Sequence, residues 1–251
     1  MPNLISTKVL LHRLFFRRLA RVSIALSTIA VIVWGFVAFL SGPYLRIWNV
    51  HFSGHQRTSD VALHHLADIH FGQHIFAIDE KHITAKLNQH PWVRQSTVQI
   101  DYPSTVRVEI EEHKPILLLA LDQVWYVSDE GVPFRLANST DIDYPIVTGI
   151  PKMWVFEHPA VVQKIIHKAT ELYKACEGSV LDGAKQLSEI HFHRHAGFTV
   201  ILRNGSKIIF GFYEPTERLE RLQWMVKEGL DLSVPQKIVL DAKRVAVVTP
   251  L

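Results

Sequence analysis

The sequence predicts an α+β fold: one N-terminal transmembrane helix, then a β-α-α-β-β domain and a mostly antiparallel β domain with flanking helices. Three observations predict this fold. A long uncharged, mostly apolar run near the N-terminus has the length of a membrane span. Strand-like alternation then frames two short helical patterns, and turn signals separate several strand-like segments in the remainder of the chain.

Composition and charge limit the classes of function. The chain has 251 residues, of which 48% are hydrophobic, so it can form packed cores in one large or two smaller domains. Its net charge is +3, and residues 1–21 carry basic side chains without any acidic one. The near-neutral remainder disfavours nucleic acid as the main partner. The single cysteine, Cys176, excludes an intramolecular disulfide and a cysteine-based zinc site.

The apolar run predicts an uncleaved membrane anchor at 22–42. Residues 22–40 read VSIALSTIAVIVWGFVAFL, and about 20 apolar residues suffice to cross a hydrocarbon core of ~30 Å. A cleaved signal peptide, the alternative, has a shorter apolar region of about 7–15 residues before a small-residue cleavage site. The basic tail at 1–21 keeps the N-terminus in the cytoplasm by the positive-inside rule. The body of the protein is therefore expected on the other side of the membrane.

The segment that follows the anchor predicts a three-stranded sheet covered by two helices. Hydroxyl and carboxylate side chains precede both helical patterns and can cap their first turns. Prolines and glycines mark the turns. In order, the predicted elements are a strand at 46–53, a helix at 60–67 capped by Thr58 or Ser59, a helix capped by Asp79 that ends before Pro91, and strands at 92–100 and 104–112.

After Pro115 the pattern becomes strand-rich. Asn204-Gly205 is a strong hairpin signal because both residues tolerate positive φ. The predicted elements are strands at 116–121 and 123–128, an extended piece at 144–149, a helix at 159–176, strands at 187–194, 197–203 and 207–212, a helix from Thr216 as its cap to Gly229, and a last β segment at 237–248.

The stretch YPSTVRVEIEEHKP (102–115) gathers acids and bases but predicts architecture rather than catalysis. Val106, Val108 and Ile110 alternate with charged residues, as in a strand with one face on the core and one in water. The carboxylates Glu109 and Glu111 therefore lie on an open face, and their expected partners are Arg107 and a residue of the adjacent strand. General acid catalysis needs a carboxyl group in an enclosed site, which such a face does not provide.

A metal site is the other chemical candidate. His191, His193 and His195 share one face if 187–195 is a single strand. Successive imidazoles are then about 7 Å apart, too far for one zinc ion whose bonds to nitrogen are about 2.0–2.1 Å. A solvated strand face is favoured over an anchored metallohydrolase, and Cys176 is interpreted as a half-buried helix residue. No catalytic, cofactor or metal site is predicted.

The same residues resemble a known family. HPWVRQSTVQIDYPSTVRVEIEEHKPI (90–116) is similar to the helix end, paired strands and domain exit of the bacterial FtsQ/DivIB cell-division family, and WNVHFSG (48–54) resembles the first strand of its POTRA domain. Weaker similarity continues through VSDEGVPF (127–134), YPIVTG (144–149) and GFYEPTERLERLQWM (211–225). The resemblance implies a POTRA domain at 45–114 and an FtsQ-type β domain at 115–251.

The resemblance also implies a function: a non-enzymatic scaffold of the division machinery in the inner membrane at the septum, which binds FtsB- and FtsL-type proteins and helps assemble septal cell-wall synthesis. The POTRA domain is implied to contact other division proteins. An alternative is a POTRA-containing chaperone or secretion component that binds extended polypeptides. No cofactor is implied.

In this family the last strand of the β domain accepts a strand from FtsB, a mode of binding in which backbone groups of an unpaired edge supply the contacts. The matching segment is 237–248, although the family often has an Asp-Leu-Arg-Tyr-like sequence where this chain has Val-Leu-Asp-Ala (239–242). The implied partner-binding residues are Ile238, Leu240, Lys243, Arg244, Val245, Ala246, Val247 and Val248.

Overall fold

The computed structural model describes residues 4–138, 143–181, 186–212, 214–240 and 247–250. The chain divides into two compact units. The anchor unit comprises Met1–Gln89 and Gln95–Ile110, and the sheet unit comprises His90–Arg94 and Glu111–Leu251. The domain bounds that the sequence predicts, 45–114 and 115–251, stay a prediction.

Helix α1 (Leu4–Leu40) contains the predicted membrane span. Its segment Arg21–Leu40 is long and apolar enough to cross a bilayer, and the side chains from Arg21 to Phe39 are all exposed. A helix that is apolar on all sides and packs against no protein core suits a lipid environment. Among the described residues it is the one helix with these properties, as a single-pass membrane protein requires.

The anchor unit continues with the predicted β-α-α-β-β order. Its elements are β1 (Asn49–Ser53), α2 (Asp60–Ala67), α3 (Glu80–Leu87) and most of β2 (Val93–Asp101) and β3 (Thr105–Glu112). The sheet order is β1-β3-β2, with β1 parallel to β3. The Ser59 hydroxyl accepts a hydrogen bond from the Ala62 N–H, so Ser59 rather than Thr58 caps α2. The Asp79 carboxylate caps α3, as predicted.

The alternation of β3 sets the core of the anchor unit. Val106, Val108 and Ile110 are buried, whereas Glu109 and Glu111 are exposed, which confirms the predicted one-sided strand. The chain leaves β1 at Gly54, whose φ is +84°. A Cβ there would lie 2.3 Å from the Ile110 carbonyl oxygen, so this exit from β1 beside β3 requires glycine.

The sheet unit contains one nine-stranded sheet in the order β12-β11-β10-β9-β8-β7-β4-β5-β6. The strands are β4 (Pro115–Ala120), β5 (Val124–Ser128), β6 (Pro133–Leu136), β7 (Ile146–Thr148), β8 (Leu187–His193), β9 (Gly197–Leu202), β10 (Lys207–Gly211), β11 (Gln236–Val239) and β12 (Val247–Pro250). The helices are α4 (Trp154–Glu157), α5 (Pro159–Cys176) and α6 (Pro215–Lys227). Antiparallel pairs predominate between the described strands; β10–β11, β4–β7 and β7–β8 are parallel.

The helices of this unit differ in how well the sequence predicts them. Helix α5 has the predicted bounds, and its apolar stripe is buried in the core of the unit. Helix α6 begins at Pro215 after Glu214, which makes no side-chain capping hydrogen bond, so the prediction of Thr216 as its cap is wrong. Proline favours the first helical position because it has no N–H to leave unsatisfied and its φ is already helical.

Candidate functional site

The candidate site is the outer edge of the sheet unit. Strand β12 is the terminal strand of the sheet and pairs, among the described residues, with β11 alone. The register places Val247 opposite Val239, Val248 opposite Ile238 and Thr249 opposite Lys237. The predicted single segment at 237–248 is thus divided between two antiparallel strands.

The direction of the backbone groups in β11 follows from one hydrogen bond. The Leu240 N–H donates to the Ile209 carbonyl of β10 at 2.9 Å. Because the main-chain groups of alternate residues in a strand point the same way, Ile238 also faces β10. Val239 and Lys237 then face β12, so Val239–Val247 and Lys237–Thr249 are the hydrogen-bonded pairs of this ladder.

The groups on β12 that face away from the sheet follow by the same alternation. Val247 and Thr249 bond to β11, whereas Val248 and Pro250 direct their main-chain groups outward. Pro250 has no N–H, which suits a proline to an edge strand and limits unwanted pairing there. Val248 is therefore the residue of β12 that offers both an outward N–H and an outward carbonyl.

The side chains of the predicted contact residues divide into three groups. Ile238 and Leu240 are completely buried in the core, so a partner cannot reach their side chains. Val247 and Val248 are 51% and 41% exposed at the edge. Lys243, Arg244, Val245 and Ala246 lie outside the described residues. The described residues therefore form a short apolar edge around Val248.

Two arginines of α6 hold the end of β11. The Arg218 guanidinium donates to the Leu240 carbonyl, and Arg221 Nη1 lies 3.4 Å from the same oxygen. Arg218 is only 5% exposed. Leu240 is the residue at which the chain leaves β11 towards β12, so this contact fixes the inner neighbour of the candidate edge.

Sequence reasoning missed Arg218, although one signal was available. Arg218 lies beside Leu219 and four residues before Leu222, both of which are buried on the inward face of α6. A charged residue within the apolar stripe of a helix is rarely buried unless a partner satisfies it. The pattern therefore indicates a buried arginine with a hydrogen-bond acceptor, but not which acceptor it meets.

The three histidines of the metal hypothesis do not share one strand. His191 lies within β8, His193 ends it, and His195 lies in the following turn, so the expected common face is wrong for His195. His191 Nδ1 is 2.7 Å from the Thr148 hydroxyl and 3.3 Å from a Glu189 carboxylate oxygen. Within the described ranges, no three histidine, cysteine or acidic side chains come together as metal ligands.

Charged residues of the stretch at 102–115 form surface ion pairs. Arg107 pairs with Asp101 at 2.5 Å, not with the glutamates as expected. Arg94 of β2 bridges Glu111, at 2.8 Å, and Glu130, at 2.9 Å, which confirms the expected partner on the adjacent strand. Exposed pairs of this kind contribute little to stability, typically about 0–1 kcal/mol. Their place on an open face offers none of the enclosure that acid–base catalysis needs.

Burial shifts the pKa of the neighbouring histidine and of the cysteine, each towards its neutral form. Burial lowers the pKa of His113, whose ring stacks on Phe134 at 4.7 Å between centroids. Burial raises the pKa of the Cys176 thiol to about 12. Cys176 is fully buried rather than half-buried as predicted, and a protonated, enclosed thiol is a poor nucleophile.

Comparison with known proteins gives two matched regions. Residues 45–113 match the family model for a POTRA domain of FtsQ type, and residues 119–244 match that for the C-terminal region of the cell division protein FtsQ/DivIB. The cell division protein FtsQ of Myxococcus fulvus is 30% identical over 217 residues, 84% of this chain and 76% of the relative. The cell division protein FtsQ of Anaeromyxobacter sp. is 29% identical over 215 residues, which cover 82% of this chain and 73% of the relative. The cell division protein DivIB of Bacillus subtilis is 26% identical over 91 residues, which cover 36% of this chain and 35% of the relative.

Proposed function

Because this chain belongs to the FtsQ/DivIB family of cell-division proteins, we propose that it is a membrane-anchored, non-enzymatic scaffold of the division machinery. The scaffold binds other membrane division proteins and helps assemble the septal cell-wall synthesis complex. The match to the FtsQ/DivIB C-terminal region supports this role over that of a general polypeptide chaperone or secretion component.

In the proposed topology the N-terminus is cytoplasmic and the body lies outside the cytoplasm at the division septum. The basic residues before the span support this orientation, because positively charged flanks stay on the cytoplasmic side. The FtsQ-type POTRA domain contacts further division proteins, and the sheet unit binds FtsB- and FtsL-type partners.

The observation that carries the partner proposal is the outward-facing backbone of Val248, on the side of β12 where no strand of the described part of the chain pairs. A strand from an FtsB-type partner adds there and extends the sheet, since edge N–H and carbonyl groups supply affinity in this mode of binding. The half-exposed side chains of Val247 and Val248 give that strand an apolar surface to cover. Arg218 acts as a positioning residue because it holds the end of β11 behind β12.

A fluorescent fusion in dividing cells tests the division role. We expect the full chain, labelled at its N-terminus, to form a mid-cell band that appears as constriction begins. A matched control carries only residues 1–45, the tail and the membrane helix, and is expected to label the membrane uniformly. Uniform signal from the full chain, at the same expression level, contradicts the proposed function.

A further inference from the structure

Four exposed aromatic side chains gather where the membrane helix ends. They come from three separate places: the turn after α1, the 3₁₀ turn Ile75–Ala77 and the connection between β2 and β3. These residues, called the aromatic collar below, are Tyr44, Trp48, Phe76 and Tyr102, with exposed fractions of 70%, 57%, 57% and 61%. Moving the apolar surface of aromatic rings out of water is favourable, so a group of exposed aromatic side chains indicates that another surface covers them.

Hydrogen bonds tie the end of α1 to the body of the anchor unit. His74 Nε2 is 2.7 Å from the carbonyl oxygen of Leu40, the last residue of the span. Arg46 Nη1 donates to the Gly72 carbonyl at 2.7 Å, and Trp48 Nε1 donates to the Pro43 carbonyl at 3.3 Å. The loop at 70–77 therefore lies directly against the helix end rather than away from it.

Ring contacts continue from this point to the far member of the collar. The His74 and Phe76 centroids are 5.5 Å apart, and those of Phe76 and Tyr102 are 5.7 Å apart. The backbone N–H of Trp48 donates to the Ser104 carbonyl at 3.0 Å, which brings Trp48 to the same connection. The collar is thus continuous with Leu40, through contacts within the anchor unit alone.

The position of the collar at the end of the span favours the membrane–water interface as its environment. The apolar span ends at Leu40, so side chains within three contacts of its carbonyl lie near the level where hydrocarbon gives way to lipid headgroups. Tryptophan and tyrosine favour that level because their rings are apolar and their polar atoms can remain hydrated. Arg46 adds a cation beside the collar, whereas the nearby carboxylate of Asp101 is paired with Arg107.

We propose that the aromatic collar docks the anchor unit on the phospholipid interface of the leaflet at the C-terminal end of α1. The collar then holds this unit upright on the bilayer and restricts its rotation about the span. The inference rests on the membrane span and the contacts at its end, and it is independent of partner capture at β12.

Spin-label accessibility in the full chain tests this contact. The label is placed on Phe76→Cys and on Tyr102→Cys, with the protein in nanodiscs of phosphatidylethanolamine and phosphatidylglycerol. Val61→Cys is the matched control: Val61 is an 80% exposed apolar residue in the first turn of α2, which follows the end of β1 remote from the span. The wild-type chain, treated in parallel, measures any labelling of the buried Cys176.

We expect labels at 76 and 102 to be reached by oxygen, which dissolves in lipid, and shielded from a water-soluble nickel chelate. The ratio of oxygen to nickel accessibility should exceed that at position 61 several-fold. Equal nickel accessibility at 76, 102 and 61 overturns the proposal. Shielding from both reagents also overturns it, because it means that protein, such as a second copy of the chain, covers the collar.

Discussion

A Val248→Pro substitution is expected to weaken capture of an FtsB-type strand by roughly 30- to 150-fold, because about 2–3 kcal/mol of binding free energy is lost. Proline removes the outward N–H of β12 and leaves the facing carbonyl of the added strand without its donor. Its ring also fills part of the space that the incoming backbone needs. A binding titration between the full chain in nanodiscs and a purified FtsB-type partner measures the effect.

The substitution should leave the fold of the sheet unit intact. The N–H of Val248 faces away from β11, so its removal breaks no hydrogen bond within the described sheet. Val248→Thr is the matched control, since it changes the side chain but keeps the N–H and the branched Cβ; its dissociation constant should stay close to that of the natural chain. An unchanged dissociation constant for a folded proline variant contradicts strand addition at this edge.

Arg218→Met is expected to lower the free energy of unfolding of the sheet unit by about 2–3 kcal/mol and to weaken strand capture as well. Methionine keeps the apolar contacts of the stem but removes the nearer of the two donors to the Leu240 carbonyl and leaves only the longer contact from Arg221. The end of β11 is then held less tightly, and the position of the inner neighbour of β12 is less well fixed. Thermal unfolding followed by circular dichroism, together with the same binding titration, measures both effects.

Lys227→Met provides the control for Arg218→Met. Lys227 is an exposed basic residue in the last turn of the same helix, so its replacement changes charge without opening a buried polar contact. If the two variants unfold at the same temperature, the Arg218–Leu240 contact does not stabilise the unit. If Arg218→Met unfolds earlier yet binds its partner normally, Arg218 has no positioning role.

Most elements were predictable because their signals are local. Alternation at Val106, Val108 and Ile110 identifies the buried face of β3, and the apolar stripe of α5 gives its bounds. Strand β6 was missed because four residues that begin with a proline carry little strand signal. Local chemistry favours Thr216 as a cap, but Pro215 already occupies the first turn of α6, so that prediction is wrong.

The candidate site depends on facts that no local pattern contains. The sequence marks 237–248 as a strand-forming segment, but the division into β11 and β12 requires the pairing between them. The main-chain groups of successive residues in a strand point to opposite sides. A shift of one residue in the register between β11 and β12 would therefore turn the N–H of Val248 towards β11. The buried Arg218 depends on a contact with Leu240, 22 residues further along the chain.

Amide hydrogen exchange at Val248 tests strand addition most directly. In the free chain we predict rapid exchange at Val248, whose N–H faces water, and slower exchange at Thr249, whose N–H bonds to β11. With saturating FtsB-type partner, the Val248 amide should become strongly protected while Thr249 changes little. Exchange at Val248 that stays rapid in the saturated complex contradicts the account, because an added strand must accept a hydrogen bond from that N–H.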